Sequence, residues 1–397
     1  MTWRFSNPVE VVFGAGSMGQ LADLAPWESI LVVTTPGAVK RKSIGRVLEL
    51  LADREVEVYD MVTPGPQLAA LEDTALRLKQ RSFQGIVAFG GGSAIDTAKA
   101  LSYLLNATEQ SLTRHFETGV RLDEVPLTPI VAVQTAAGTG AEVTPFATIW
   151  DTVVQKKYSL GPPDIYPKTA LLDPELTLTL PADLTLSAGL DTLCQGLESL
   201  WSRGANPVAA SFALRCVLIS LEVLPKLVED LYSLELRTRM LEASLLGGLA
   251  IASTKTTLSH SISYPITLRF GVLHGLACAF TIAQVLRFNA ETDDGRLEET
   301  VQTLGYSSAG SLADRLEELL SQTGALESLA GLITSKAELL ALAPRAITPG
   351  RADNNPRQAS VEDVSAIMSA AWDRAAQQTE RHLVRGESKG ETGNFGC

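Results

Sequence analysis

The stretch "GIVAFGGGSAIDTAKALSYLL", residues 85–105, reads as a short apolar strand, three glycines and a helix. The strand shows no polar alternation, which fits burial on both faces of a parallel sheet. Gly90, Gly91 and Gly92 let backbone approach a ligand closely, and Ser93 is placed to cap the helix. Free amides and the helix dipole at such a turn favour a phosphate. The pattern is neither GxGxxG nor a Walker loop, because Lys99 is out of position for the latter. A tight turn without a ligand is the plain alternative.

Similar runs lie to either side: "ILVVTT" (30–35), "VEVYDMV" (56–62), "PIVAVQT" (129–135) and "TALLD" (169–173). Helical patterns such as "SIGRVLELLADR" and "LAALEDTALRLKQR" separate the earlier ones. Strand alternating with helix implies a parallel sheet covered by helices. The strand at 129–135 runs into a second glycine turn, "QTAAGTGAEVTPFATIWD", in which Gly138, Thr139 and Gly140 supply a hydroxyl and free amides. Two such turns at the carboxyl ends of strands point to a ligand, because open α/β sheets bind ligands there.

From "LPADLTLSAGLDTL" onward, apolar positions recur every three or four residues, and the second half should be nearly all helical. The expected division is an α/β domain over 1–178 and a helical domain over 179–397. The polar, Gly-rich tail "GESKGETGNFGC" is expected to be mobile.

Length and composition agree. A chain of 397 residues with 45% apolar content suggests two domains with sizeable cores. The net charge of −12 and the lack of a basic stripe disfavour nucleic acid and anionic membranes, though not a local pocket for a small anion. The N-terminus does not read as a signal peptide, and the apolar stretches look too short to span a bilayer. Four scattered cysteines without a CxxC pair fit a reducing cytoplasm.

Histidine is scarce, yet two of the four, His260 and His274, fall within "LSHSISYPITLRFGVLHGLACAF" (258–280). In "SAGLDTLCQGLESLW", Asp191 and Gln195 are four apart and share a helix face, as do His260 and Tyr264. His274 lies beyond a break expected at Pro265. Asp191, His260 and His274 form an O,N,N set suited to Zn2+ or Fe2+. Gln195 is a weaker, neutral fourth donor. The alternative is a pair of core histidines.

Together, "GGGSAIDTAKA", "TAAGTGAEVTPFATI", "DPELTLTLP", "AGLDTLCQGLES" and the paired-histidine stretch resemble the iron-containing (group III) alcohol dehydrogenases. The resemblance runs from "PVEVVFGAG" to beyond residue 350. It implies the two-domain, dehydroquinate synthase-like architecture, with the active site in an interdomain cleft and NADPH or NADH reducing an aldehyde. It places Gly91, Gly92 and Ser93 at the pyrophosphate, with Asp96, Thr135, Thr139 and Lys157 around the cofactor. Asp191, His260 and His274 match three metal ligands. Gln195 stands where the family has a fourth, a histidine, and Tyr264 where it has a proton-relaying histidine. Gly65 replaces an asparagine near the cofactor, Ala141 the serine of GTGSE, and Leu273 the proline of PHG. Thr35 stands where NAD-preferring members carry an aspartate, which leaves room for NADPH, with Lys40 or Arg41 near its extra phosphate.

"HSISYPIT" with "GRADNNPR" (350–357) is similar to a phosphonoacetaldehyde-reductase branch. That implies phosphonoacetaldehyde as substrate and 2-hydroxyethylphosphonate as product. Lys255, one helical turn before His260, together with Arg269 and Asn355, would then bind the phosphonate, with Arg351 and Asn354 closing over it. His260, His274 and Tyr264 would act on the carbonyl. The competing readings are a general alcohol dehydrogenase of the same family, a dehydroquinate synthase-like lyase or cyclase, and a non-catalytic nucleotide-binding relic. A cytoplasmic protein with a small-molecule partner is expected, and a homodimer is compatible with this reading.

Overall fold

The computed structural model describes residues 2–107, 111–120, 126–154, 156–161 and 165–390, with side chains to residue 377. Among these residues eight strands form: β1 (Glu10–Phe13), β2 (Ser29–Thr34), β3 (Glu55–Tyr59), β4 (Gly85–Gly90), β5 (Ile130–Gln134), β6 (Ala147–Asp151), β7 (Lys156–Leu160) and β8 (Thr169–Leu172). Six make a parallel sheet in the order β1-β8-β5-β4-β2-β3, and β6 and β7 pair as an antiparallel hairpin. Alternate residues feed two cores. Leu31, Val33, Ile86, Ala88, Ile130 and Ala132 face one, and Ile30, Val32, Val87, Phe89, Val131 and Val133 face the other. Double-sided burial explains the continuous apolar runs.

Sequence periodicity finds β2, β3, β4, β5 and β8 but misses β1, β6 and β7. Edge strand β1 is four residues long and mostly exposed, too short for a period to register. The hairpin follows directly on the second glycine turn and carries Trp150 and Lys157, outside the strand–helix alternation.

The chain divides into two compact units, Met1–Pro181 with Asp230–Ala252, and Ala182–Glu229 with Ser253–Cys397. A single cut near residue 178 does not capture the segment 230–252, which joins the first unit. The reason is a close backbone approach. A Cβ on Gly140, whose φ is +62°, would lie 2.3 Å from the Cα of Gly248. Nothing larger than glycine fits at this crossing.

The second unit is helical among its described residues. Its central helices are Ala182–Trp201, Pro207–Glu229, Leu258–Phe270 and His274–Ala290. The break expected at Pro265 is absent, because the helix continues through it to Phe270. Burial of every residue from Leu258 to Ile266 outweighs the lost backbone hydrogen bond, and Gly271 in the left-handed region ends the helix. The expectation about membrane length is also corrected: Pro207–Glu229 is long and apolar enough to span a bilayer, though half of its apolar window is buried. The final helix runs Val361–Gly390, so the first part of the expected mobile tail is helical and the remainder lies outside the described residues.

Candidate functional site

In the first unit, the carboxyl ends of β2, β4 and β5 lie side by side, with Thr34 opposite Phe89 and Gly90 opposite Gln134. Gly90, at φ +157°, lets the chain turn, and Gly91 begins the helix Gly92–Leu104. No side chain caps that helix. Ser93 is therefore not its cap, as expected from sequence; it lies inside the first turn, and its Oγ accepts from the Gly65 amide at 3.3 Å. The uncapped amides remain directed outward at the helix N-terminus. The two glycine turns touch: a Cβ on Gly92 would sit 2.6 Å from Thr139 Cγ2. The Thr135 amide donates to Gly90 O at 3.1 Å.

The hairpin completes this side. The Thr148 amide donates to Asp96 Oδ2 at 2.9 Å, fastening the hairpin to the glycine-turn helix. Lys157 Nζ lies 5.3 Å from the centre of the Trp150 ring, and Trp150 itself covers Gly65. Thr35 caps the short helix Pro36–Lys40, accepting from the Ala38 amide at 3.2 Å. The expected cofactor residues thus gather along one edge of the sheet. Lys99 points elsewhere, donating to the Thr144 and Phe146 carbonyls at 2.8 Å each.

In the second unit, three helices bring polar groups to one point. Asp191, Gln195 and Glu198 lie on Ala182–Trp201, His260 and Tyr264 on Leu258–Phe270, and His274 and Cys278 on His274–Ala290. Gly275 permits this meeting, because a Cβ there would lie 1.7 Å from Ser187 O and 2.9 Å from the Asp191 amide nitrogen. His260 Nε2 lies 3.2 Å from Asp191 Oδ1. The rings of His260 and His274 are 5.4 Å apart edge to face, and Tyr264 stacks on His274 at 6.0 Å. One donor atom each from Asp191, His260, His274 and Cys278 lies within 4.8 Å of all the others. Gln195 is buried, and its Oε1 has no hydrogen-bond partner among the described residues.

Glu198 holds the arrangement from behind. Its Oε1 accepts from the Thr257 hydroxyl at 2.9 Å and from the amides of Ser259 and His260 at 2.8 and 3.3 Å. Its Oε2 meets His260 Nδ1 at 2.5 Å. One carboxylate thereby satisfies a helix N-terminus and turns the other imidazole nitrogen toward Asp191. Burial pushes the Glu198 carboxyl up, but His260 and Thr257 outweigh it and hold the acid below its ordinary range. Burial likewise disfavours a cationic His260, yet Cys278, Glu198 and Asp191 hold it well above the usual imidazole value. Burial raises the Cys278 thiol, and His260 and His274 more than reverse this, bringing it down to about 7. The group is a mutually charged nest of O, N and S donors, and such a nest suits a divalent transition ion.

The expected phosphonate residues are placed differently. Lys255 is not one helical turn before His260. It occupies the link between helices ending at Thr254 and beginning at Leu258, exposed and with φ +60°. Arg269 lies in the exposed last turn of the His260 helix and pairs with Glu338. Asn355 is fully buried and committed: its amide pairs with Asn289 at 2.7 and 3.2 Å, and its Nδ2 also donates to Arg357 O. Asn354 donates to the Thr254 and Thr256 carbonyls. "DNNP" is therefore an internal brace for the Lys255 link rather than a lid, because its amides are used up inside the fold.

Sequence reasoning missed Cys278 and Glu198. Both carried a signal, since Cys278 is one helical turn after His274 and Glu198 is two turns after Asp191.

Residues 8–174 match the model of the iron-containing alcohol dehydrogenases, and residues 185–372 match the C-terminal model of the same family. A phosphonoacetaldehyde reductase of Streptomyces viridochromogenes is 33% identical over 85% of this chain and 88% of that protein. The 1,3-propanediol dehydrogenase of Klebsiella pneumoniae is 27% identical over 89% of this chain and 94% of its own length. A sulfoacetaldehyde reductase of Bifidobacterium kashiwanohense, solved with NAD+, superimposes with a TM-score of 0.85 at 29% identity, covering 94% of this chain and 99% of that one. The chain belongs to the iron-containing alcohol dehydrogenase family and is an NAD(P)-dependent oxidoreductase that interconverts aldehydes and alcohols.

Proposed function

We propose that this enzyme reduces a two-carbon aldehyde bearing a tetrahedral oxyanion, with phosphonoacetaldehyde as substrate and 2-hydroxyethylphosphonate as product. The observation that carries this reading is the similarity at 33% identity to a phosphonoacetaldehyde reductase across most of both chains. The structural likeness to a sulfoacetaldehyde reductase adds to it, since the two substrates share an acetaldehyde carrying an anionic head. The Klebsiella relative favours a second reading, a neutral short-chain substrate.

The edge formed by Thr35, Gly91, Gly92, Ser93, Asp96, Thr135, Thr139 and Lys157 would hold the dinucleotide, with the uncapped amides at the helix N-terminus on its pyrophosphate. Hydride would pass from the nicotinamide to the aldehyde carbon, and the protein's part is to orient and polarise. Asp191, His260 and His274 would hold the divalent ion used by the family, iron or zinc, which when bound supplies Lewis-acid polarisation of the carbonyl oxygen. Glu198 would orient the His260 ring through its Nδ1. Tyr264, stacked on His274, would deliver the proton to the alkoxide. Of Lys255 and Arg269, Arg269 is engaged with Glu338, so Lys255 is taken as the cation at the phosphonate. A cytoplasmic setting fits this reading.

The test is NADPH and NADH oxidation with phosphonoacetaldehyde and with propanal, each with and without added Zn2+ or Fe2+. Lys255→Ala should lower kcat/KM for phosphonoacetaldehyde about ten- to a hundredfold, the size of a lost charge-assisted bond, and spare propanal. A wild-type preference for propanal would remove the anionic substrate.

A further inference from the structure

Cys278 belongs to none of the roles assigned above, yet it sits at the centre of the polar cluster. It is fully buried and lies one turn after His274 on the same helix, with Sγ 3.7 Å from His274 Nε2. Two ligands bound at 2.0 to 2.3 Å around a tetrahedral ion are separated by about 3.3–3.8 Å. The separations of 3.2 Å between His260 and Asp191 and 3.7 Å between Cys278 and His274 are near that spacing before any ion enters. The other candidate for a fourth donor is Gln195 Oε1, a neutral amide oxygen. It is a hard, uncharged donor, whereas a thiolate is anionic and soft and binds first-row transition ions far better.

We propose that Cys278 coordinates as a thiolate, giving an Asp191, His260, His274, Cys278 ligand set that prefers zinc to iron(II). This rests on the reading that the cluster holds a divalent ion. On binding, the Cys278 S–H proton and the proton on the coordinating nitrogen of His260 are released to solvent, and the sulfur and imidazole lone pairs go to the ion, with no change of oxidation state. Gln195 then stands outside the ligand set.

Cobalt(II) provides the test, because a thiolate ligand adds a near-ultraviolet sulfur-to-cobalt charge-transfer band to the visible d–d bands. The full-length protein, stripped of metal and loaded with Co2+, should show both. Cys278→Ser should lose the near-ultraviolet band while keeping visible absorbance, and should weaken zinc at least tenfold in chelator competition, with a smaller effect on iron(II). Gln195→Leu should keep the band, as should Cys194→Ser, which removes the buried cysteine beside Gln195. Visible bands without charge transfer in the wild type, or a charge-transfer band that survives Cys278→Ser, would overturn the thiolate while leaving the metal site intact. Failure of the wild type to bind cobalt would overturn the metal site itself, and the thiolate with it.

Discussion

At Gly92 the missing side chain is the working feature, and at Asp191 the side chain is. The first unit prepares its candidate ligand site from backbone: uncapped amides, glycines, and turns that touch through Thr139. The second unit builds its candidate site from side chains on three helices, buried except for the half-buried His274 and linked by charge and hydrogen bonds. A backbone site tolerates change in the surrounding side chains but not an added Cβ. A side-chain site depends on helix spacing, which glycine sets from outside the donor group, at Gly275.

The largest expected effect therefore comes from adding one methyl group to each region. In Gly275→Ala the new carbon would lie 1.7 Å from a helical carbonyl, so backbone must move. Overpacking of this kind costs about 1–3 kcal/mol, and here at or above the top of that range. Thermal unfolding should drop sharply and soluble yield should fall. In Gly92→Ala the neighbour is the single Thr139 side chain rather than backbone, so the melting temperature should fall less than in Gly275→Ala while NADPH binding weakens severalfold. Equal thermal shifts in the two variants would erase the contrast.

Next comes Glu142, which is fully buried in the first unit beside the glycine turns. Its Oε2 accepts from Gln134 Nε2, while its Oε1 has no partner among the described residues. Burial raises its carboxyl from 4.5 to about 7, against the pull of its backbone hydrogen bond, Lys99 and Gln134. Between those values the native state keeps a proton that the unfolded chain has released. Stability therefore falls as pH rises from about 4.5 to about 7 and levels off above. A shift of this size corresponds to about 3 kcal/mol at most. Glu142→Gln should flatten that decline and raise the melting temperature at pH 8 but not at pH 4. The gain will be smaller than that ceiling, because Lys99, already lowered to about 8 by burial, loses a nearby anion. A melting temperature unchanged at pH 8 would mean that the acid is not strained.

In the second unit, Glu198→Gln keeps the shape but weakens the grip on His260. Removing an outer carboxylate of this kind typically costs ten- to a hundredfold in metal affinity. Chelator competition with zinc should show that loss. If affinity is unchanged, Glu198 serves only as the cap of the His260 helix.

The contrast also explains what could be read from sequence. The sheet was legible because β2, β4 and β5 are buried on both faces and so appear as unbroken apolar runs. The glycine turns were legible because their chemistry is local. Asp191, His260 and His274 were found by residue type. Cys278 and Glu198 were missed, although both lie at helical spacing from residues already chosen, because a lone cysteine and a glutamate read as core and surface until the neighbouring helices are known. The phosphonate group fared worst. Arg269 and Asn355 have partners, Glu338 and Asn289, more than sixty residues away, and no local pattern announces such pairings.

The smallest effect is expected at Thr35, where backbone and side-chain strategies meet. Thr35 caps the helix after β2 through its Oγ1, and the Arg41 guanidinium folds back over Gly37. A 2′-phosphate placed there would meet a neutral cap and a cation, whereas an aspartate would repel it and accept instead from a ribose 2′-hydroxyl. Aspartate also caps helices as well as threonine, so the helix should survive the exchange. Thr35→Asp should therefore shift the ratio of kcat/KM for NADPH over NADH toward NADH by about tenfold, on the order of 1.4 kcal/mol, with no loss of thermal stability. Arg41→Ala should move the same ratio in the same direction by lowering NADPH alone. If neither variant changes the ratio, the 2′-position is read elsewhere on the sheet edge, and the charge at residue 35 does not set cofactor choice.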